Sequence, residues 1–305
     1  MYTIDIDIGG TFTDGFFTDG QEARTVKVLT TPHDITECFV NCVEEGSRAF
    51  GMGPRQLLRR TSVARLSTTV GTNMLVQHNG PKVGLLVTRG NEETLYGSGR
   101  APILGEYVAE DMVVGVDEEV DGDGRLVREV DKQEVLEGIR RLVGAGARMI
   151  AVSLRNAWRN PHNERRAREY VRERYPVHYL RSVPMQLGTE VSHVSSDDLR
   201  TNSVAINSYI HSEMARALYR AEDRLREAGY ERPLLIVHAS GGNARVAKTV
   251  ALHTLSSGPA VAARGAAKMA SILGLDRVVT ADMGGRAWTW RWSRTTSTSS
   301  TPSPG

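Results

Sequence analysis

The sequence predicts an α/β protein with mixed sheets. Short apolar segments of strand length recur along the chain, and longer segments with helical periodicity separate them. Glycine or proline stands where several of these segments meet. Alternation of this kind favours helices packed on sheets, and no repeat at a solenoid period is present.

The chain opens with a predicted strand over Tyr2–Ile8, in which isoleucine occupies every second position from Ile4 and aspartates face the other way. Gly9-Gly10 permits a tight turn, and Thr11–Phe17 is predicted as the returning strand. The elements predicted after this hairpin are helix Asp34–Arg48, strand Val83–Thr88, helix Lys132–Val143, strand Met149–Leu154, helix Asn160–Arg174, helix Ser195–Ala228, strand Leu234–His238, helix Gly258–Leu273 and strand Val278–Ala281.

Local signals justify these elements. The strands are short apolar runs, whereas the helices repeat apolar residues at a period of three to four. Pro161 stands in the first turn of the charged helix, and Ser196 or Asp197 caps the longest helix, which Gly229 ends. Cys38 and Cys42 lie four apart on the first helix, without the C-x-x-C spacing of a metal or redox site, so buried thiols are expected.

Composition excludes several classes of protein. The 305 residues are 40% hydrophobic and 24% charged, which fits a globular protein of about two domains. Lys and Arg total 38 against 36 Asp and Glu, so no broad basic surface for nucleic acid is expected. No apolar run is long enough for a membrane-spanning helix, and the first residues lack the features of a secretory signal. A cytoplasmic protein without nucleic-acid or membrane partners is predicted.

Two segments share an Asp–Gly–Gly turn after an apolar strand, namely Asp7–Asp14 (D-I-G-G-T-F-T-D) and Asp282–Gly285 (D-M-G-G). Glycine lets the backbone turn and leaves bare N–H groups that can approach an anion closely. The hydroxyls of Thr11 and Thr13 would add donors, and Asp7 could hold Mg²⁺ through water. One such turn is most simply a hairpin, but two of them can grip phosphates from either side.

Further motifs follow in a fixed order through residues 2–285. They are T-T-P-H-D (Thr30–Asp34), S-T-T-V-G-T-N-M-L (Ser67–Leu75), G-L-L-V-T-R-G (Gly84–Gly90), N-P-H-N-E-R-R (Asn160–Arg166), R-T-N-S-V-A-I-N-S-Y (Arg200–Tyr209), A-S-G-G (Ala239–Gly242) and S-G-P-A (Ser257–Ala260). With the two Asp–Gly–Gly turns, they resemble the hydantoinase/oxoprolinase family, which includes the ATP-binding subunits of acetone and acetophenone carboxylases.

The resemblance implies an actin-like ATPase or sugar-kinase-type fold, with a first lobe and an incomplete second lobe. It divides the chain into a hydantoinase/oxoprolinase N-terminal domain over 1–182, the start of the ATPase domain over 183–285, and a tail over 286–305. It also implies ATP and Mg²⁺ as cofactors, a cyclic amide or a ketone as substrate, and a second large subunit as partner. Tyr96–Pro102 (Y-G-S-G-R-A-P) is closer to the ketone carboxylase branch, but the choice between hydrolase and carboxylase stays open.

The family's functional residues map onto the two turns. The resemblance places Mg²⁺ near Asp7 and Asp282. It assigns the phosphates to six residues: Gly9, Gly10, Thr11, Thr13, Gly284 and Gly285. It identifies no general base. A sugar kinase or actin-like ATPase without ring-opening activity would share these turns, but should lack T-T-V-G-T-N and S-G-P.

The last twenty residues differ from the rest of the chain. No Asp, Glu or Lys follows Asp282, and three of the four tryptophans lie after it, ahead of a Ser/Thr/Pro run. Tryptophan has a single codon, and for a reading frame shifted back by one base one consistent restoration of R-A-W-T-W-R-W-S is T-G-M-D-V-A-L-V, which continues the family's second phosphate motif. The alternative is a natural Trp/Arg tail with an unrelated role. We therefore expect an out-of-frame, disordered tail over 286–305, and an inactive truncated fragment is the alternative to an active enzyme.

Overall fold

The computed structural model describes residues 1–176, 178, 184–283 and 288–294, with the backbone alone described for 282–283 and 288–294. The chain divides into two compact units. The first consists of Met1–Asn73, Ala215–Thr249 and His253–Gly305, and the second of Met74–Met214 with Val250–Leu252. Both units are discontinuous in sequence. The expected domain boundary at residue 182 lies outside the described residues, and the domain division stays a prediction.

The elements follow one another in the alternating order that the sequence predicts. The strands are β1 (Tyr2–Ile8), β2 (Phe12–Thr18), β3 (Ala23–Leu29), β4 (Thr61–Thr68), β5 (Val83–Thr88), β6 (Val113–Val116), β7 (Glu119–Val120), β8 (Leu126–Arg128), β9 (Met149–Ser153), β10 (Met185–Leu187), β11 (Leu235–Val237), β12 (Asn243–Arg245), β13 (Arg277–Met283) and β14 (Trp288–Arg294). The helices are α1 (Ile35–Ala49), α2 (Pro54–Arg59), α3 (Val70–Gln77), α4 (Lys132–Gly144), α5 (His162–Arg174), α6 (Gly188–Val191), α7 (Asp197–Glu227) and α8 (Ser257–Ile272).

The first unit is built on a mixed six-stranded sheet in the order β12-β11-β4-β1-β2-β3. β1, β4 and β11 are parallel neighbours, whereas β2, β3 and β12 add antiparallel edges. The alternation predicted for β1 is confirmed, because Ile4, Ile6 and Ile8 are buried while Asp7 on the opposite face is exposed. The sheet therefore has a core face and a polar face.

Helix α1 covers the core face. Asp34 caps it by accepting a hydrogen bond from the Thr36 amide, as a helix start of this kind requires. Phe39 and the two cysteines are buried on its inner side, which confirms the expectation of buried thiols. Burial raises the pKa of the Cys42 thiol to about 12, so this sulfur stays protonated and inert at neutral pH.

Gly46 on α1 provides a sharp test of packing in the first unit. A Cβ at Gly46 would overlap the ring of Phe17, which is itself fully buried. We expect Gly46→Ala to lower the free energy of unfolding by about 1–3 kcal/mol, the usual cost of overpacking a core. Urea unfolding measures the change. The matched control is Gly265→Ala within α8, where a Cβ meets open space and the higher helix propensity of alanine should raise stability by up to about 1 kcal/mol. Equal effects would contradict this packing.

The second unit contains a parallel four-stranded sheet in the order β10-β9-β5-β6. β5 and β9 are buried along their length, as expected for parallel strands covered on both faces. Helices α4 and α5 supply apolar side chains to this core. The carboxyl ends of the parallel strands all lie at the same edge of the sheet.

The structure corrects two expectations. Several elements, among them β3, α2, β4 and α3, have no counterpart in the prediction, because their sequences are too polar or too short to show a clear period. The expected disorder is wrong for residues 288–294, which form β14 and pair antiparallel with β13. Tryptophan alternates with polar residues there, and this strand-like period favours β structure despite the unusual composition.

Within the described ranges, no helix is both long enough and apolar enough to span a bilayer.

Candidate functional site

The candidate site lies in the first unit, where three parallel strands end side by side. β1 leads into the Gly9–Phe12 turn, β4 into the start of α3, and β11 into the His238–Gly242 turn. Ligands of open α/β sheets bind beyond the carboxyl ends of such strands, where the loops are free to contact them. The topology thus brings together three motifs that are far apart in the sequence.

The Gly9–Phe12 turn closes the β1–β2 hairpin that the sequence predicts. The Gly9 amide donates to the Phe12 carbonyl at 3.0 Å, and a Cβ at Gly9 would lie only 2.9 Å from the same oxygen. Glycine is therefore required at position 9. Among the described residues, the amides of Gly10 and Thr11 donate no backbone hydrogen bond. Bare N–H groups in a tight turn are suited to binding an anion.

Thr13 has a different position from the one expected of a phosphate ligand. Its side chain is fully buried, and its hydroxyl lies 3.0 Å from the hydroxyl of Thr30. Thr30 in turn donates to the Gly9 carbonyl at 3.0 Å, and its amide donates to the Thr11 carbonyl at 3.0 Å. Thr13 and Thr30 therefore brace the turn from its core side, and Thr13 is not a direct phosphate contact in this arrangement.

Asp7 is the carboxylate that the structure places at the centre of the site. It is exposed on the polar face of β1 and lies against the beginning of α8, where a Cβ at Gly258 would be 3.6 Å from its Oδ2. The hydroxyls of Ser67 and Ser257 meet beside it at 3.0 Å. A helix N-terminus favours negative charge, and the first turn of α8 lies next to this carboxyl group.

A cleft of 610 Å³ opens in front of Asp7. Its lining combines acidic residues of β1 and β2 with the glycine turn after β11 and the first turns of α8: Asp5, Ile6, Asp7, Asp14, Gly15, Phe16, Thr25, Val26, Arg65, Ser67, Val237, Gly241, Gly242, Asn243, Gly258, Val261 and Ala262. Asp5 is held by Arg65, whose Nη2 donates at 2.9 Å, and Asp14 pairs with Lys27. The charges of these two carboxylates are thereby compensated.

The His238–Gly242 turn forms one wall of the cleft. The His238 amide donates to the Gly242 carbonyl at 2.9 Å, and the Gly241 amide donates to the His238 carbonyl at 2.8 Å. Gly241 has a φ of +80°, which explains the glycine at this position. The His238 ring lies 5.5 Å from that of His253, and burial together with this neighbour lowers the His238 pKa. The histidine is therefore neutral at pH 7 and packs beneath the turn.

Part of the predicted site lies outside the described residues. This applies to Gly284 and Gly285, and for Asp282 the backbone alone is described, as the penultimate residue of β13. In the described part of the chain, no group of three or more His, Cys, Asp and Glu side chains is arranged to hold a metal ion.

Sequence reasoning missed a buried polar cluster in the second unit. Arg200 is fully buried, and its Nη2 donates to Asp197 at 2.6 Å and to the Leu154 carbonyl. Glu164 is also buried; it accepts hydrogen bonds from the Thr189 amide and hydroxyl, and burial raises the pKa of its carboxyl group. The R-T-N-S motif contains Arg200. An arginine on the apolar side of a predicted helix is the feature of the sequence that could have indicated a buried polar cluster.

Comparison with models of protein families identifies the family of this chain. Residues 3–175 match the hydantoinase/oxoprolinase N-terminal region, and residues 200–287 match hydantoinase/oxoprolinase. The chain belongs to the hydantoinase/oxoprolinase family. The resemblance expected from the motifs is thereby confirmed.

One protein of similar sequence and two solved structures resemble this hydantoinase/oxoprolinase-family chain over most of its length. The acetophenone carboxylase gamma subunit of Aromatoleum aromaticum is 37% identical over 303 residues, covering 94% of this chain and 41% of that subunit. A nucleotide-free structure of acetone carboxylase gives a TM-score of 0.86 at 25% identity, covering 95% of this chain and 43% of that one. The ATP-dependent caprolactamase of Pseudomonas jessenii gives 0.82 at 28% identity, covering 96% and 44%.

These similarities confirm the predicted fold class, an α/β fold with mixed sheets of the actin-like ATPase type. The chain spans about two fifths of the length of the relatives it matches.

Proposed function

We propose that this chain supplies an ATP-binding part of an enzyme that activates a carbonyl oxygen by phosphoryl transfer from ATP. The observation that carries the proposal is the cleft in front of Asp7, where an exposed carboxylate, the Gly241–Gly242 turn and the start of a helix converge. The Gly9–Phe12 turn does not line this cleft but follows the same strand as Asp7. The similarity to an ATP-dependent acetone carboxylation enzyme and to an ATP-dependent caprolactamase supports it.

The cleft and the neighbouring Gly9–Phe12 turn each have a role in this proposal. The Gly10 and Thr11 amides would donate to phosphate oxygens, and the glycine turn at Gly241 would let the ligand approach the backbone closely. Mg²⁺ normally keeps several waters and takes one or two carboxylates plus phosphate oxygens, and the exposed carboxylate of Asp7 fits this requirement. The metal would neutralise charge on the phosphates, which is the chief need of phosphoryl transfer. Asp282, Gly284 and Gly285 remain proposed ligands.

The substrate class we propose is a ketone, with a cyclic amide as the second possibility. The 37% identity to an acetophenone carboxylase subunit favours the ketone, in agreement with the Tyr96–Pro102 segment. Phosphorylation of a ketone enolate oxygen would prepare the carbon for carboxylation, whereas phosphorylation of an amide oxygen would prepare the ring for hydrolysis. A second large subunit is the proposed partner, since the acetophenone carboxylase relative is named as a gamma subunit.

A second candidate function is nucleotide binding without turnover. The observation that favours it is the described lining of the cleft, which suits a phosphate ligand and its metal but includes no histidine, cysteine or lysine side chain. The two candidates differ in one measurable property, because both bind Mg–ATP but the first alone hydrolyses it in the presence of substrate.

The proposal is tested by isothermal titration of the 305-residue chain with ATP, in the presence of Mg²⁺ and then of EDTA. We expect saturable binding that weakens when the metal is removed. Turnover is then measured as phosphate release with acetone, acetophenone or caprolactam added. A folded chain that binds no ATP under either condition would contradict the proposal, and binding without phosphate release for any substrate would favour the second candidate.

A further inference from the structure

A phosphate ligand of this cleft needs positive charge from the protein. Three aspartates line the cleft, and a nucleotide adds several negative charges to them. Two cations beside these aspartates, Arg65 and Lys27, pair with Asp5 and Asp14. A further positive group would favour a bound polyphosphate, because Mg²⁺ beside Asp7 compensates only part of the charge.

Arg264 lies against the glycine turn that lines the cleft. It is an exposed residue of α8, and in the described part of the chain no ion pair engages its guanidinium. Its side chain packs directly on Gly241, because a Cβ at that glycine would overlap Arg264 Nε, Cδ and Cζ. Gly241 itself lines the cleft, so the guanidinium lies beside the cleft wall.

The geometry of α8 supports the same placement. The helix begins against Asp7 at Gly258, and Val261 lines the cleft one turn later. Arg264 follows Val261 by three residues, a spacing that puts the two side chains on adjacent positions of one helical face. The side chain thus extends from the helix to the glycine turn that lines the cleft, although Arg264 is not itself a lining residue.

We propose that Arg264 is a phosphate-binding residue of this cleft, donating hydrogen bonds from its guanidinium to the polyphosphate of the bound nucleotide. The inference rests on the proposed function, since it names a further contact of the same site. An arginine suits the task because its planar fork of N–H donors matches two phosphate oxygens at once. Glycine at position 241 has a second role here: it leaves the space that the guanidinium occupies.

The test compares Arg264→Gln and Arg264→Lys with the unchanged chain. Titrations use Mg–ATP, inorganic tripolyphosphate and adenosine as probes, and circular dichroism checks that each variant is folded. We expect Arg264→Gln to raise the Kd for Mg–ATP and for tripolyphosphate about tenfold. Adenosine, which has no phosphate, should bind as it does to the unchanged chain. Arg264→Lys should lose less than the glutamine variant, because it keeps the charge but not the fork.

Lys268→Gln is the matched control. Lys268 is exposed on the same helix, four residues after Arg264, which is about one helical turn. Its replacement by glutamine also removes one positive charge. We expect its Kd for Mg–ATP to stay within about twofold of the unchanged chain, the size of a long-range charge effect in salt.

The outcomes separate this inference from the proposed function. If the unchanged chain binds Mg–ATP and Arg264→Gln binds it equally well, the inference is wrong and the proposed function stands. If the two glutamine variants lose affinity equally, Arg264 acts only through general charge and the inference is wrong. If the unchanged chain binds neither Mg–ATP nor tripolyphosphate, both the inference and the proposed function fail.

Discussion

Replacing Asp7 with asparagine is expected to weaken Mg²⁺-dependent ATP binding about 10- to 100-fold while leaving the chain folded. Asparagine has the shape of aspartate but no negative charge, and losing an outer-sphere carboxylate typically costs this much in metal affinity. Asp7 is the penultimate residue of β1 and is exposed, so its replacement changes no buried side chain. Titration with ATP at several Mg²⁺ concentrations measures the effect, and the dependence on the metal should be largely lost.

Asp14→Asn provides the control for this prediction. Asp14 lines the same cleft, but its carboxylate pairs with Lys27. A surface pair of this kind contributes little, so the affinity for Mg–ATP should change less than about threefold. Equal losses in the two variants would show that the cleft responds to its total charge, and would remove the special role given to Asp7.

The largest effect on stability is expected from Arg200→Met. The guanidinium of Arg200 is fully buried and pairs with Asp197 at 2.6 Å. Its positive charge also opposes the rise that burial causes in the pKa of the Glu164 carboxyl group. Removing one partner of a buried pair leaves the other charge uncompensated, at a cost of about 3–5 kcal/mol. Urea unfolding should show this loss in the free energy of unfolding.

The control and the pH dependence make this prediction specific. Arg226→Met removes an exposed arginine that pairs with Glu222 and Asp223, and the free energy of unfolding should change by no more than about 0.5 kcal/mol, as is usual for surface substitutions.

Without Arg200, the pKa of Glu164 in the folded chain should rise further above its unfolded value. Folding then takes up protons, so the deficit of the variant should shrink as the pH falls from about 7 to 5. A deficit that is small, or independent of pH, would contradict the role given to the cluster.

Much of the local structure could be predicted because its causes are local. The alternation of isoleucine and aspartate identified β1, and the Gly9-Gly10 pair identified the turn that follows it. The predicted start of the first helix at Asp34 lies within one residue of the observed start of α1 at Ile35. The order of the motifs was specific enough to indicate the family, which the comparisons confirm over residues 3–175 and 200–287. Asp7 could be predicted as an exposed carboxylate by the same alternation.

The tail shows how composition can hide a local signal. Its Trp, Thr and Ser content suggested disorder, yet tryptophan at every second position from Trp288 has the period of a strand, and β14 pairs with β13 there. Period is the stronger evidence, because backbone pairing depends on the alternation of side chains rather than on their average polarity.

The sequence by itself determined the strands and helices with clear periods, the glycine turn after β1, and the position of Asp7 at the end of its strand. Only the tertiary structure decided what surrounds that carboxylate. The parallel pairing of β1, β4 and β11 brings Ser67 and the Gly241 turn to the same edge of the sheet, and α8 carries Gly258 to Asp7 and Arg264 to Gly241. These residues are separated by up to about 250 positions along the chain. Turn and helix signals act over a few residues, whereas such contacts follow from which strands pair, and that choice depends on the packing of the whole unit.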